Sequence, residues 1–311
     1  SHVGGTIDKL EENFNFYLGM RLDGFINAYQ EYYSEETQKK VKGTDYAGGK
    51  LGLIQEEAQM KGYPLYLIID EYDNFTNTVL NEQGEAVYHA MTHAEGFYRD
   101  IFKKFKGPFE KIFITGVSPV TLDDVTSGFN IGWHISTKEE FNQMLGFSTE
   151  DVKDMFKYYQ EVGEIPADRD IDAIINGMKP WYDNYCFAKE ALETQSRVFN
   201  CDMVLYYLRN YVSRGEGPEE MIDPNTKTDY NKMKKLIQLD KLDGDRKGVI
   251  RTIAEEGKIV CKLFETFPAY EIVKPEVFPS LLFYYGMLTI KEAFGSQLYE
   301  GYRCLKRKLV P

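Results

Sequence analysis

The chain has 311 residues, 43% of them hydrophobic and 28% charged, which is enough for two or more cores at roughly 100–200 residues per domain and leaves no long tract too polar to fold. Its 49 Asp and Glu outnumber 37 Lys and Arg, for a formal charge of −12; such a surface repels phosphate backbones on average, so a nucleic-acid role would need a local basic patch or a partner domain. Four cysteines, at 186, 201, 261 and 304, form no C-x-x-C pair, which argues against a disulfide framework or zinc site and fits a reducing cytoplasm.

Residues 6–33, TIDKLEENFNFYLGMRLDGFINAYQEYY, place Leu10, Phe14, Tyr17, Leu18, Phe25 and Tyr29 on a helical period, with Thr6 or Asp8 as cap. A polar, glycine-bearing connector is expected at 34–49 and a second helix near 50–61, ended by Gly62. YPLYLIID, 63–70, then reads as a strand buried on both faces: too short for a helix, continuous in its apolar content and bounded by turn residues. Residues 81–106 return to helical spacing, with Val87, Met91, Phe97, Ile101 and Phe105 on one side, and IFITGV, 112–117, is a second short strand. Helix, strand, helix, strand with short links is the pattern of parallel crossover units, whose strands end at one ligand-binding edge.

Beyond about 135 the pattern turns mainly helical. STKEEFNQMLGFSTEDVKDMFKYYQEVG holds two short helices, capped by Ser136 or Thr137 and by Ser148. PWYDNYCFA, 180–188, suggests a turn and short strand, and helices are expected at 201–213, 228–239 and 246–257. KPEVFPSLLFYYGMLTI predicts a helix to Tyr285, a stop at Gly286 and a hairpin ending near Arg303. No apolar stretch approaches about 20 residues and no charged-then-apolar leader opens the chain, so neither a membrane span nor a signal peptide is expected. The basic runs at 102–111 and 303–308 read as solvated helix faces or a frayed end, and His89 with His93, whose intervening second position is Ala90 rather than glutamate, as a partly exposed helix.

The chemistry concentrates where the first strand stops. LYLIIDE ends on Asp70 and Glu71, with a third acid at Asp73. An apolar strand ending in an acid that holds Mg²⁺, followed by a glutamate that orients the attacking water, is the arrangement of nucleotide-hydrolysing P-loop proteins; a strand whose loop is simply solvated gives the same letters. Thr115, near the end of the second strand, stands where such ATPases place a polar sensor of the γ-phosphate, and equally where a buried threonine bonds its own backbone. A loop of the form G-x-x-x-x-G-K-S/T should lie upstream. The nearest run, GTDYAGGKLG at 43–52, has Thr44 where the first glycine belongs and Leu51 after Lys50, and follows a helix; it reads as a flexible connector. No acid-spacer-E-x-K set on paired strands argues for nuclease chemistry.

LIIDEYDNF, KIFITGVSPVTLDDVTSGFNIG, FNQMLGFSTEDV, KPWYDNYCFA, VFNCDMVLYYL, MIDPNTKTDYNKMKKLI and FPSLLFYYGMLTI, in this order over residues 6 to 295, resemble the bacterial AAA-ATPase-like family. The resemblance implies a partial P-loop NTPase (AAA-like) α/β core over 1–135, a parallel sheet with flanking helices. A helical lid would follow over 136–265 and a winged-helix-like helix and hairpin over 266–311. It implies ATP and Mg²⁺ as ligands, with Asp70 for the metal, Glu71 for the water and Thr115 as sensor, and a PD-(D/E)XK nuclease-like domain as the C-terminal partner in a longer protein. The family's opening segment, with its phosphate loop R-x-R-R-F-G-K-S and a further strand, does not occur before Ser1, so this chain is expected to be a middle piece, inactive by itself. The alternative is a degenerate scaffold that docks a protein or nucleic acid. The family often carries a basic residue where Cys186 stands, a departure that puts any charge-based role for that position in doubt.

Overall fold

A computed structural model describes residues 6–93, 96–117, 119, 132–183, 185–194, 197–224, 246–268, 271, 274–296 and 299–306. The architecture is mixed α/β. Two units result, Ser1–Gly132 with Thr266–Ala269, and Trp133–Glu265 with Tyr270–Pro311.

In the first unit the opening periodicity becomes α1, Ile7–Ala28, followed by a 3₁₀ turn, Gln30–Tyr32. The single helix expected to Tyr33 ends sooner because the tighter turn delivers Tyr33 into a core with Ile26, Val41, Ile54 and Ala58. The expected connector contains a helix, α2, Glu35–Lys42. Only Val41 of α2 is buried, so apolar periodicity had nothing to register. Its support is polar: Ser34 Oγ accepts from the Thr37 amide, and acids open the helix while lysines close it, matching the peptide dipoles.

The glycine-bearing run at 43–52 is also corrected, since α3, Ala47–Met60, begins inside it. Asn15 Oδ1 of α1 accepts the Ala47 amide at 3.1 Å, supplying the cap that Tyr46 does not. Lys50 is 5% exposed and pairs with Asp23 at 2.6 Å. Gly19 lies beneath its stem, where a Cβ would stand 3.5 Å from the lysine's Cε. Lys50 is thus a bolt between α1 and α3. Further along α3, Glu57 accepts from the Ser34 amide at 2.7 Å and its hydroxyl at 3.0 Å, and pairs with Lys61 at 2.7 Å.

Next come β1, Tyr66–Ile69, then α4, Asn74–Gln83, α5, Glu85–Thr92, α6, Phe97–Lys104, and β2, Lys111–Ile114. The two strands pair in parallel, Tyr66 opposite Lys111 through Ile69 opposite Ile114, as the crossover pattern predicts. The expectation of burial on both faces does not hold. Leu67 and Ile69 are half-buried, but Ile68 is 74% exposed and Tyr66 57%. Side chains alternate across a strand, and among the described residues one face of this pair is covered. The long helix expected over 81–106 is broken. Gly84 adopts φ 85°, and Gly96 returns so close to α5 that a Cβ there would lie 2.0 Å from the Met91 carbonyl oxygen.

The second unit begins with a 3₁₀ turn, Glu139–Phe141, capped by Lys138 without a side-chain bond, rather than the helix expected from Ser136 or Thr137. α7, Thr149–Glu161, starts as expected at Ser148, in a reciprocal capping box with Asp151. α8, Ile171–Tyr182, absorbs Pro180 into its last turn, so 180–182 are helical rather than a turn; Tyr185 then makes a single antiparallel bridge to Val198. After a short helix, α9, Ala191–Thr194, α10 spans Cys201–Arg214 between an Asn200 cap and Gly215 at φ 77°. Phe156, Ile175, Met178, Tyr182, Phe199 and Val204 from these segments form one core.

The helix expected at 228–239 lies outside the described residues. α11, Arg246–Glu256, leads into β3, Lys258–Cys261, a strand not anticipated because four residues bounded by Gly257 are too few to show alternation. α12, Phe278–Tyr284, and the hairpin β4, Leu288–Ser296, and β5, Tyr299–Lys306, follow the expected order, with Gly286 at φ 71°. The sheet is antiparallel in the order β3-β5-β4. Among the described residues no helix is long and apolar enough to cross a membrane.

Burial works to raise the Glu57 carboxyl, yet the bonds from Lys61, Thr37 and Ser34 outweigh it and hold the group down at about 2, from an ordinary 4.5. A carboxyl depressed by folding stabilises the fold above its unfolded value and loses that contribution as pH falls toward the folded one. Urea unfolding at about pH 6 and about pH 3 should show a loss that Glu57→Gln largely abolishes, the variant itself costing about 1–2 kcal/mol at the higher pH. Equal pH dependence in both proteins would contradict this.

Candidate functional site

The parallel pairing places the two strand ends side by side. Past the ladder, the Thr115 amide donates to the Ile69 carbonyl at 2.8 Å and the Tyr72 amide to the Thr115 carbonyl at 3.0 Å. These bonds bring the Thr115 hydroxyl onto Asp70, Oγ1 to Oδ1 at 2.5 Å, at the exposed carboxyl edge of the sheet. Two residues 45 apart in sequence, each singled out from its own strand, are therefore one cluster.

Glu71 is the non-glycine residue that takes positive φ, 51°, among those described. Left-handed geometry costs an ordinary side chain roughly 1–2 kcal/mol, and such strain collects at functional turns. The turn is closed by the Asn74 amide on the Glu71 carbonyl at 3.0 Å, and the Asn74 side chain donates to Glu71 Oε2 at 3.0 Å. The carboxylate is exposed at the same sheet edge as Asp70. The chain could have used glycine here, and a glutamate keeps a carboxylate in place at a conformational cost.

Asp73, the third acid of this stretch, sits in an environment unlike that of the other two. It is 0% exposed. Its Oδ1 accepts the Val117 amide at 3.1 Å and its Oδ2 the Asn77 side chain at 3.0 Å. Beside it the Tyr98 hydroxyl donates to the Tyr72 carbonyl. Burial first, and the charge of Asp73 second, push the Tyr98 phenol far above its usual range, so it stays a neutral donor. Phe14, Phe75, Phe97 and Tyr98 pack ring against ring behind the turn, with centroids 5.5 to 6.4 Å apart. Gly116 separates Thr115 from Val117 where no side chain fits: a Cβ would stand 2.3 Å from the Tyr72 ring and 2.7 Å from Asp73 Oδ1. The glycine in ITGV was the available sign that the segment after β2 presses against the segment after β1.

Mg²⁺ is held typically by one or two carboxylates together with water and substrate phosphates rather than by an all-protein cage. Asp70 fits that donor set: exposed, at a sheet edge, with one oxygen engaged by a neutral hydroxyl. Lys50, the lysine of the glycine-bearing run, is committed to Asp23. Cys186 is buried, its amide donating to Thr289 Oγ1 at 3.0 Å and its thiol to the Ala188 carbonyl at 3.2 Å. Burial pushes that thiol up to about 11 against the opposing pull of Arg197, so it is a neutral packing group.

Comparing Glu71→Gly with Glu71→Ala isolates the backbone cost, since both lose the carboxylate. The glycine variant should be the more stable by about 1 kcal/mol in urea unfolding; equal stabilities would mean the turn is unstrained. Neither a curated protein nor a solved structure matches the chain. Residues 2–126, the stretch that carries the parallel strands, Asp70, Glu71 and Thr115, match the model of a family described as predicted AAA-ATPase.

Proposed function

We propose that the first unit is the metal- and water-handling half of an ATPase site. The observation that carries the reading is the Thr115–Asp70 bond at the carboxyl edge of a parallel strand pair, with the exposed carboxylate of Glu71 next in the chain. In such sheets ligands bind beyond the carboxyl ends of the strands. Asp70 would hold Mg²⁺, which supplies charge neutralisation to the phosphates when bound. Glu71 would accept the proton of the attacking water, and Thr115 would sense the γ-phosphate while fixing the orientation of Asp70.

No G-x-x-x-x-G-K-S/T sequence occurs in the 311 residues, so the phosphate-gripping amides and lysine would have to come from outside them. In this reading the fold is a partial P-loop NTPase core followed by a helical lid and a winged-helix-like region, a nucleotide-dependent switch in a cytoplasmic bacterial protein that also carries a PD-(D/E)XK nuclease-like domain.

Calorimetry of the chain with ATP should show weak, Mg²⁺-dependent binding that Asp70→Ala removes, and no turnover; tight ATP binding by these residues would contradict the proposal. In a protein joined to a phosphate loop, Glu71→Gln should lower kcat by about 10²–10⁴ and spare nucleotide binding, the range for loss of a general base. Unchanged hydrolysis would sink the role of Glu71.

A second reading, a non-catalytic scaffold that docks a protein or nucleic acid, draws on the exposed apolar face of β1 and β2, where Ile68, Tyr66 and Phe113 stand open. ATP-independent function of the Asp70→Ala protein would favour it.

A further inference from the structure

We propose that Asp73 is a positioning residue whose buried carboxylate locks the segment after β2 to the turn after β1 and so keeps the Thr115 hydroxyl on Asp70. The inference rests on the nucleotide-site reading of Asp70 and Thr115 and deepens it. An aspartate just before a helix ordinarily accepts from the amides of the first turn. Asp73 precedes α4, yet it takes αR geometry, φ −90° and ψ −11°, and makes no side-chain cap bond. Its carboxylate turns instead to the other strand's loop, accepting the Val117 amide at 3.1 Å, while Asn77 on α4 steadies the second oxygen at 3.0 Å.

The backbone carries the same link. The Tyr72 amide holds the Thr115 carbonyl from one side and the Asp73 carboxylate holds the Val117 amide from the other, so Thr115 is clamped on both flanks. Gly116, between them, admits no Cβ because the Tyr72 ring and the Asp73 carboxylate already fill that space. With 0% exposure Asp73 has no access to a ligand. Its route to Asp70 runs through the Val117 amide and the neighbouring Thr115. A buried carboxylate is costly unless hydrogen-bonded, and here one oxygen is satisfied by the other strand's loop and the second by Asn77 on the helix that Asp73 begins.

The test uses hydrogen exchange on the chain and on Asp73→Ala and Asp73→Asn. Asp73→Ala should speed exchange of the Tyr72, Thr115 and Val117 amides by about tenfold or more and shift the Thr115 methyl resonance, with the amides of α1 to α3 unchanged. Asp73→Asn keeps an oxygen for the Val117 amide, and Asn77 can present its own oxygen to the new amide group, so exchange should stay near that of the native chain. Unaltered exchange at Tyr72 and Thr115 in the alanine variant overturns the proposal, as does uniform loosening of the whole unit or an asparagine variant as fast as the alanine one. Should the alanine variant fail to fold, Asn77→Ala carries the test, with faster Val117 exchange expected and no change overturning it.

In calorimetry with Mg²⁺ and ATP, Asp73→Ala and Thr115→Val should weaken binding by similar factors and the double variant no further. Additive losses would refute action through Thr115. If the native chain binds no Mg²⁺·ATP, the nucleotide reading fails, while the exchange experiment still decides whether Asp73 holds Thr115.

Discussion

The parallel pairing of β1 with β2 is the constraint from which the candidate site follows. Parallel strands need a crossover long enough to return the chain to the same end, and α4, α5 and α6 supply it. The return sets Ile69 opposite Ile114, and from that register the next residues have little freedom: Thr115 must meet Asp70, and Val117 must pass Asp73. A slip of one residue would send Thr115 to the other side of the sheet. The half-buried pairs Leu67 with Ile112 and Ile69 with Ile114 resist that slip, so the placement of the polar groups is fixed by apolar ones.

The three acids illustrate how one short turn can give three environments. Asp70 is exposed and shared with a hydroxyl, Glu71 is exposed on a strained backbone, and Asp73 is fully buried. Only the first two can reach a ligand. The three environments fall within one turn, in which Glu71 takes left-handed geometry and Asp73, two residues on, is buried.

Much of this was legible in the letters. The apolar runs 63–70 and 112–117, which carry Asp70 and Thr115 near their ends, and the helical spacing between them suffice to predict a parallel crossover with both residues at one edge, although the second strand stops at Ile114 rather than 117. The Ser148 cap and the Gly286 stop were equally readable, because caps and left-handed glycines have local causes. What escaped has identifiable reasons. α2 buries Val41 alone, so periodicity could not reveal it. The run containing Gly48, Gly49 and Lys50 reads as loop by composition, yet Asn15, more than thirty residues away, caps it into a helix, and Asp23 captures the lysine. Single-face burial of β1 could not be foreseen from a continuous apolar run, since such a run records tolerance for burial rather than its extent. Asp73 carried no separable signal beside two other acids; its burial is decided by Tyr72, Tyr98 and Gly116.

The open face of β1 and β2 has a colloidal consequence. Ile68, Tyr66 and Phe113 form a sticky stripe on a molecule whose net charge of −12 keeps its copies apart. That repulsion reaches roughly 10 Å at about 0.1 M ionic strength and only about 3 Å at 1 M, whereas attraction between apolar stripes does not weaken with salt. Association of copies through this face should therefore rise with ionic strength, dilute buffer holding them apart and concentrated salt letting the stripes meet.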